Sequence, residues 1–139
     1  MIIVDTNVIS EVLRPKPSER VAAWLDAQRP SDIFLTTVSQ AEMLLGIELL
    51  PRGRRRASLE SAINAIFDAD FRERVFPFDT AAARAFALVV AHRHRIGRPI
   101  DNMDAQIAGI ARSKGAAIAT RDISGFAGCG VPVIDPWQA

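Results

Sequence analysis

The chain begins MIIVDTN, in which an unbroken apolar run over residues 1–4 ends abruptly at a carboxylate, Asp5. Residues 2–4 are all β-branched and have no polar residue between them, which is typical of a strand buried on both faces of a parallel sheet. Thr6 or Asn7 can cap a helix that runs from residue 8 to about residue 13. Asp5 is therefore predicted where a buried strand passes into a helix, the usual location of ligand sites in open α/β sheets. This stretch alone leaves open a purely structural interpretation, in which Asp5 only helps to cap the helix.

The same alternation of strand and helix continues along the chain. Further strands are predicted at 32–37, 75–78, 115–120 and 130–134, and helices from Ser18, over 38–50, over 54–74, from Asp79 or Thr80 to 95, and over 101–114. Alternating elements predict an α/β fold with a mainly parallel central sheet of four to five strands flanked by helices. With 139 residues and no linker or repeat, the chain is predicted to be a single domain, 1–139.

Composition and charge exclude several classes of protein. The formal net charge of +1 argues against a general nucleic-acid coat but allows a focused basic patch. The single cysteine, Cys129, cannot form an internal disulfide, and no second cysteine or nearby histidine offers a zinc site. The N-terminus has no basic leader, and no uncharged run approaches the roughly 18 residues of a membrane span. We therefore expect a cytoplasmic protein with no membrane partner.

Four acids occupy equivalent positions relative to their predicted elements. Asp5 follows the first strand, Glu42 and Asp104 lie in the first turns of two later helices, and Asp122 follows the strand AAIAT by two residues. Because strand carboxyl ends and the following helix N-termini meet at one edge of a parallel sheet, the four acids are expected to converge there.

Glu42 lies on one helical stripe of its predicted helix with Leu45, Gly46 and Leu49, at spacings i+3, i+4 and i+7. Residues at these spacings share a face of the helix, and this stripe is largely apolar. The pattern predicts that Glu42 leans toward the buried side.

Helix capping is the structural alternative for these acids. Ser39 and Glu42 match a capping box, and Asp101 and Asp104 match the same pattern. A cap stabilises a helix by only about 1 kcal/mol. Two carboxylates about 5 Å apart at an effective dielectric constant near 20 repel each other by about 3 kcal/mol. A convergent cluster is thus a poor set of caps but a good site for a hard cation such as Mg²⁺ or Mn²⁺. On this argument Asp5 is a metal ligand.

The same residues carry a family resemblance. The segments IIVDTNVI, TTVSQAEMLLGI, DNMDAQIAGIARSKGAAIATRD and GVPVIDPW resemble the successive motifs of PIN-domain ribonucleases, in particular the VapC/FitB-like toxins of type II toxin–antitoxin pairs. The resemblance extends from Ile2 to Trp137. It implies a PIN-like fold.

The resemblance also implies roles for individual residues. The acidic positions are filled by Asp5, Glu42, Asp104 and Asp122, and the small polar positions that orient them are filled by Thr6, Asn7, Ser39 and Thr120. The family's last motif often has an acid or histidine just before its phenylalanine, whereas here Gly125 precedes Phe126. Asp122 is therefore expected to serve as the fourth acid, through water or from outside the metal's direct ligands.

The activity implied by the resemblance is metal-dependent hydrolysis of RNA phosphodiester bonds. One or two Mg²⁺ ions, with Mn²⁺ as a substitute, would activate water and leave a 5′-phosphate and a 3′-hydroxyl. Asp5 and Asp104 are expected as principal ligands, and Glu42 as a ligand or as a base that orients water. The implied partners are the RNA substrate, a small DNA-binding antitoxin and a second copy of the chain.

Basic residues near the acids are candidates for substrate binding. Arg98 and Arg121 lie close in sequence to Asp104 and Asp122. Arg54, Arg55 and Arg56 open a helix, where cations are unfavourable. They form either a solvated helix face, a grip on the RNA backbone or an antitoxin contact.

The helix predicted over 38–50 carries an unusually large apolar surface. Leu44, Leu45, Leu49 and Leu50 spread around more of it than one face can bury. Either deep burial or a subunit contact is needed to cover them.

Two other classes of protein would also place acids at the edge of a parallel sheet. A receiver-like signalling domain would need an acidic pair after the first strand and a lysine after the last, and the chain has neither. A catalytically inactive PIN-like module that binds RNA or protein would be expected to have lost an acid. The first three acids are all present, so the nuclease is the preferred prediction and the inactive module is the alternative.

Overall fold

A single parallel sheet forms the centre of the protein, which a computed structural model describes over all 139 residues. Its strands are β1 (Ile2–Val4), β2 (Ile33–Thr36), β3 (Val75–Phe76), β4 (Ala117–Ala119) and β5 (Val133–Ile134). They follow the order β3-β2-β1-β4-β5, and every neighbouring pair is parallel. The predicted α/β class with a mainly parallel sheet of four to five strands is confirmed.

Seven helices flank this sheet: α1 (Thr6–Val12), α2 (Glu19–Asp26), α3 (Thr37–Glu48), α4 (Arg54–Ala65), α5 (Thr80–Arg95), α6 (Asn102–Lys114) and α7 (Ile123–Phe126). A 3₁₀ turn covers Pro30–Asp32, and a π-helical turn covers Ile66–Asp70. None of these helices combines the length and the hydropathy required to cross a membrane.

The helix predicted over 54–74 is shorter than expected. Helix α4 ends at Ala65, and the chain then passes through the π-helical turn. The reason is a tertiary one: Leu35 N–H of β2 donates to the Arg74 carbonyl at 2.9 Å, and the Arg74 guanidinium donates to the carbonyls of Ile33 and Asp70. Residue 74 is thereby held beside β2 and cannot continue the helix.

Two helix starts also differ from the predictions. Helix α1 begins at Thr6 and is capped by Asp5, whereas we predicted capping by Thr6 or Asn7. Helix α3 begins at Thr37 and is capped by Thr36, whose hydroxyl accepts from Ser39 N–H. The capping box of Ser39 and Glu42, which was the structural alternative for these residues, is therefore not formed. Asp5 directly follows β1, and Thr36 is the last residue of β2, so no loop separates strand from helix in either case.

The hydrophobic core consists of two clusters on opposite faces of the sheet. Ile3 and Ile118 belong to a cluster that includes buried residues of α5 and α6. Val4 and Leu35 belong to the other, together with buried residues of α1, α3 and α4. Adjacent residues of β1 thus point into different clusters, as expected for a strand that is buried on both faces.

Helices α5 and α6 approach each other closely through small residues. Ala82 and Ala85 on α5 and Ala105, Ala108 and Gly109 on α6 are all buried. A Cβ atom at Gly109 would lie 2.7 Å from the Ala82 carbonyl oxygen and 3.0 Å from Phe86 N. Backbone atoms cannot yield as side chains do, so this contact requires glycine.

We predict opposite effects for two glycine substitutions in helices. Gly109→Ala should destabilise the protein by about 1–3 kcal/mol through overpacking. Gly46→Ala, in α3, should stabilise it by about 0.5–1 kcal/mol, because a Cβ there meets no atom within 4 Å and alanine favours the helix. Urea unfolding of both variants checks this. Equal effects would contradict the close approach of α5 and α6.

The outer face of α3 carries exposed leucines. Leu44, Leu45 and Leu49 are 40%, 54% and 76% exposed. The buried side of the helix is formed instead by Val38, Ser39, Met43 and Ile47. The stripe of Leu45, Gly46 and Leu49 is therefore exposed, against the prediction, whereas Glu42 itself is half-buried. Deep burial of the leucines is also wrong for the single chain, which leaves the subunit contact as a prediction.

Candidate active site

The four predicted acids converge at the carboxyl edge of the sheet. Asp5 follows β1, Glu42 lies in the second turn of α3, Asp104 lies in the first turn of α6, and Asp122 follows β4. All four line one cleft of about 520 Å³, in which Trp137 is the single hydrophobic residue. Because β1 lies between β2 and β4, Asp5 occupies the middle of the group.

Asp5 is held by hydrogen bonds to both of its carboxylate oxygens. Thr6 N–H donates to Oδ1 at 2.8 Å, and the buried Thr120 hydroxyl donates to Oδ2 at 2.8 Å. Asp5 N–H donates to the Ala119 carbonyl at 2.9 Å and so ties the end of β1 to β4. The carboxylate both caps α1 and faces the cleft, so the structural and functional interpretations of Asp5 are compatible.

Thr6 connects Asp5's helix to Glu42. The Thr6 hydroxyl donates to Glu42 Oε1 at 2.9 Å and lies 3.0 Å from the Ser39 hydroxyl, which is fully buried. Glu42 makes no hydrogen bond to the backbone at the start of α3, where a capping residue would make one. Its carboxylate is therefore oriented across the cleft by Thr6 and not by its own helix.

Thr120 is the central polar residue of the site. Its hydroxyl donates to Asp5 and accepts from Asn7 Nδ2 and from Asp122 N–H, each at 3.0 Å. Asn7 Oδ1 in turn accepts from Arg121 N–H at 3.3 Å. The four predicted small polar residues thus lie where they contact the acids or one another. Their hydrogen bonds join the β1–α1 turn to the segment after β4.

Asp104 differs from the other acids because no protein group donates to its carboxylate. Asp101, and not Asp104, caps α6, by accepting from Met103 N–H and Asp104 N–H. Burial and the neighbouring carboxylates, Asp5 first among them, raise the pKa of Asp104 to about 7 from an ordinary value of 3.8. The ionised form of a capping carboxylate would be stabilised, whereas the ionised form of Asp104 is destabilised.

The pKa values of Asp5 and Glu42 are also raised, in both cases mainly by burial. Hydrogen bonds from Thr120 and Thr6 act in the opposite direction and favour the ionised forms. Asp5 also raises the pKa of Glu42 through charge repulsion. The cleft is therefore an environment in which added negative charge is unfavourable and a cation would be favourable.

The chemistry of these residues fits a hard divalent cation. The acids offer only oxygen, the ligand type of Mg²⁺ and Mn²⁺, and no cysteine or histidine lines the cleft. No three acidic, histidine or cysteine side chains are arranged closely enough to enclose an ion by themselves. Mg²⁺ usually keeps several waters and is held through one or two carboxylates, so an open set of this kind suits it.

The predicted basic residues do not all reach the cleft. Arg121 lines it, with its guanidinium carbon 5.1 Å from the centre of the Trp137 ring. Arg55 lies instead at a neighbouring groove of about 620 Å³ between α1, α3 and α4. Arg56 donates to Glu48 and to the Leu50 carbonyl. Arg54 and Arg98 are exposed and line neither cavity.

Four further residues line the cleft that the sequence analysis did not identify: Ser10, Glu11, Arg14 and Trp137. Ser10, Glu11 and Arg14 follow Asn7 at i+3, i+4 and i+7, so the helical period of α1 contained the signal for them. Arg14 forms an ion pair with Glu11 at 3.1 Å. Trp137 reaches the cleft only through the tertiary fold, and no local pattern indicates it.

Comparison with known proteins shows the family. The family model of the PIN domain matches residues 2–127, and the chain belongs to the PIN-domain family. It is 40% identical to the plasmid stability protein StbB of Pseudomonas syringae pv. tomato over the full length of both. It is 38% identical to the toxin FitB of Neisseria gonorrhoeae and 36% identical to the VapC ribonuclease Y4jK of Sinorhizobium fredii, each over 99% of both chains.

Solved structures show the same similarity. The crystal structure of FitAcB from Neisseria gonorrhoeae contains a chain that is 37% identical, with full coverage of both chains and a TM-score of 0.94. A second structure, of FitAB bound to an IR36 DNA fragment, has the same TM-score at 38% identity and covers 100% of this chain and 97% of that one. The predicted resemblance to VapC/FitB-like proteins is confirmed.

The raised pKa of Asp104 predicts how metal-free stability depends on pH. Between about pH 4 and pH 7 the folded protein keeps a proton on Asp104 that the unfolded chain has lost. The free energy of unfolding therefore falls as pH rises through this window. Asp104→Asn removes the titration, so the variant should gain stability relative to the parent from pH 4 to pH 7. Urea unfolding in EDTA at several pH values measures this.

The matched control is Asp101→Asn, since asparagine caps as well as aspartate and residue 101 is exposed. Its stability difference from the parent should change less with pH. An Asp104→Asn difference that stays constant over the window, or moves against the variant, would contradict the acidic cluster.

Proposed function

We propose that this protein is a Mg²⁺-dependent ribonuclease that acts as the toxin of a toxin–antitoxin pair, with Mn²⁺ as a substitute ion. The observation that carries the proposal is the convergence of four carboxylates, two of them oriented by threonine hydroxyls, in a single polar cleft. The names of the relatives FitB and Y4jK support the toxin and the ribonuclease assignments respectively.

In the proposed reaction the residues of the cleft hold and orient the reacting groups. When bound, the metal would supply an activated water and stabilise charge on the departing 3′ oxygen. Asp5, fixed through both carboxylate oxygens, and Asp104, whose carboxylate accepts no hydrogen bond, would be the principal ligands. Glu42 would be a ligand or the base that orients water, and Asp122 would be the fourth acid. Hydrolysis by water leaves a 5′-phosphate and a 3′-hydroxyl.

Substrate binding requires positive charge beside an acidic cleft. Arg121 supplies it, because its guanidinium lies at the cleft and packs over the Trp137 ring. An arginine held in this way can donate to a phosphate, and the half-buried Trp137 ring lies beside it in the same cleft. Arg98 and Arg54 would contribute only to the positive electrostatic potential around the cleft, without contacting the substrate there.

The remaining basic residues suit other roles. Arg56 is occupied by Glu48 and the Leu50 carbonyl, which favours a structural role. Arg55 lies at the groove between α1, α3 and α4, six of whose lining residues are hydrophobic. This position favours an antitoxin contact over a contact with RNA for Arg55.

The proposed partners are a small DNA-binding antitoxin and a second copy of the chain. The similarity to the toxin chains of FitAB and FitAcB supports the antitoxin. The exposed leucines on α3 support a homodimer, since a monomer would leave them in water. We propose a cytoplasmic location, where its RNA substrate is present.

A catalytically inactive PIN-like module that binds RNA or protein is the alternative. The intact set of acids argues against it, because an inactive cleft gains nothing from keeping a destabilising charge at Asp104. RNA binding without cleavage in the presence of Mn²⁺ would favour this alternative.

The purified protein should cleave single-stranded RNA in Mg²⁺ or Mn²⁺ and stop in EDTA. The products should carry 5′-phosphates, as shown by ligation or by digestion with a 5′-phosphate-dependent exonuclease. Asp104→Asn should reduce the cleavage rate by more than the ~10–100-fold loss that is typical when only a ligand-orienting residue is changed. Asp101→Asn, the same change three residues away on a capping residue, should keep most of the activity.

Two outcomes would contradict the proposal. Cyclic 2′,3′-phosphate products would indicate attack by the RNA's own 2′-hydroxyl. Full activity in chelator would show that no metal is needed.

A further inference from the structure

One basic side chain of the protein is buried, and it has no opposite charge beside it. Arg93, in the last turn of α5, is 4% exposed and belongs to none of the ion pairs of the structure. A buried guanidinium is costly unless its donors are satisfied. The position is also unusual in the helix, because the rest of its buried face consists of Ala82, Ala85 and Val89.

The partners of Arg93 are backbone carbonyls in two different loops. Nε donates to the Arg98 carbonyl at 2.6 Å, and Nη1 donates to the carbonyls of Gly125 and Ala127, both at 2.8 Å. Nη1 also lies 3.8 Å from the sulfur of the buried Cys129. One guanidinium therefore ties the α5–α6 connection to the segment around the end of α7.

Each of these loops leads to an acid of the cleft. Arg98 lies in the short connection before α6, the helix that Asp101 caps and that carries Asp104. Gly125 N–H donates to Asp122 Oδ1 at 3.0 Å, while its carbonyl accepts from Arg93. Residue 125 is thus held by Arg93 through its carbonyl, and its N–H holds the carboxylate of Asp122.

The Asp122 carboxylate lies directly against Gly125. A Cβ atom at residue 125 would be 2.2 Å from Asp122 Oδ2 and 2.6 Å from Asp122 Cγ. No other residue fits there without displacing the carboxylate. This contact gives a physical reason for glycine at the position before Phe126, and it makes Asp122 dependent on where the backbone of Gly125 is held.

We propose that Arg93 is a positioning residue for the acidic cleft. It fixes Gly125 and through it the carboxylate of Asp122, and it fixes the connection that leads into α6 and so to Asp104. The inference rests on the proposed function only in taking a divalent metal ion as the ligand of the cleft. Arginine suits this role because its rigid, planar fork reaches acceptors in different directions, whereas lysine presents a compact point charge on a flexible stem.

The test compares Arg93→Met with Val89→Ala, a buried position one turn earlier on the same helix. Both changes remove buried contacts, but only the first releases Gly125. Calorimetry measures Mn²⁺ affinity, and NMR measures the hydrogen exchange of the Gly125 amide in metal-free protein. Arg93→Met should weaken Mn²⁺ binding about tenfold, the lower end for a residue that orients ligands, and speed Gly125 exchange. Val89→Ala should change neither beyond its effect on global stability.

Two further variants keep the test decisive if Arg93→Met does not fold. Gly125→Ala displaces the Asp122 carboxylate without touching Arg93, so it should weaken Mn²⁺ binding to the same degree. Arg93→Lys keeps the charge and part of the donor set, so its Mn²⁺ affinity should lie between that of Arg93→Met and that of the parent. If Arg93→Met does not fold, Gly125→Ala takes its place in this comparison. The combination of Arg93→Lys with Gly125→Ala should weaken Mn²⁺ binding by less than the product of the two single effects, because both changes act in part through Asp122.

The inference is overturned if Arg93→Met or Arg93→Lys leaves Gly125 exchange and Mn²⁺ affinity unchanged, or if Val89→Ala alters both as strongly. Failure of the proposed function is separate from this result. A parent protein that binds no Mn²⁺ contradicts the metal site, and the exchange of the Gly125 amide, which needs no metal, then decides the role of Arg93 alone.

Discussion

The parallel pairing of β1 with β4 brings Asp5 against Thr120, and the hydrogen bond between these two side chains connects most of the cleft. Through the same hydroxyl Thr120 reaches Asn7 and the backbone of Asp122. A register shift of one residue would turn Thr120 away from Asp5 and move apolar side chains into the cleft. The two hydrophobic clusters on opposite faces of the sheet prevent such a shift, so the burial of Ile3 and Val4 also determines the geometry of the site.

The buried acids of the cleft are unfavourable in their ionised forms, and the rest of the fold must compensate for that energy. Burial raises the pKa of Asp5, Glu42 and Asp104, and repulsion among the acids adds to it. Hydrogen bonds from threonine hydroxyls offset this for Asp5 and Glu42, but nothing in the protein offsets it for Asp104. A cation bound in the cleft would remove the repulsion, which couples metal affinity to stability. Arg93 does not contact the acids, because it donates only to backbone carbonyls and a thiol.

The sequence was sufficient to predict the sheet, the helices on both sides of it and the convergence of the acids, since each follows from a local period or from the end of a strand. It was insufficient where distant residues determine the outcome. Arg74 bonds to β2, so the helix predicted over 54–74 cannot reach its predicted end. Thr36 replaces Ser39 as a cap because the strand passes into α3 without a loop. Glu42 faces the cleft through its bond to Thr6 on another helix, although its stripe on α3 is exposed. Trp137 and Arg93 act across the fold and leave no periodic signal.

The most direct test of the central claim is the number of protons released when Mn²⁺ binds, measured by calorimetry in buffers with different ionisation enthalpies. A carboxyl group with a pKa of about 7 is protonated in about nine-tenths of the metal-free molecules at pH 6 and in about one-tenth at pH 8. If Asp104 ligates the ion, binding should release close to one proton at pH 6 and almost none at pH 8. Binding that releases no proton at pH 6, or no binding of Mn²⁺ at either pH, would contradict the account.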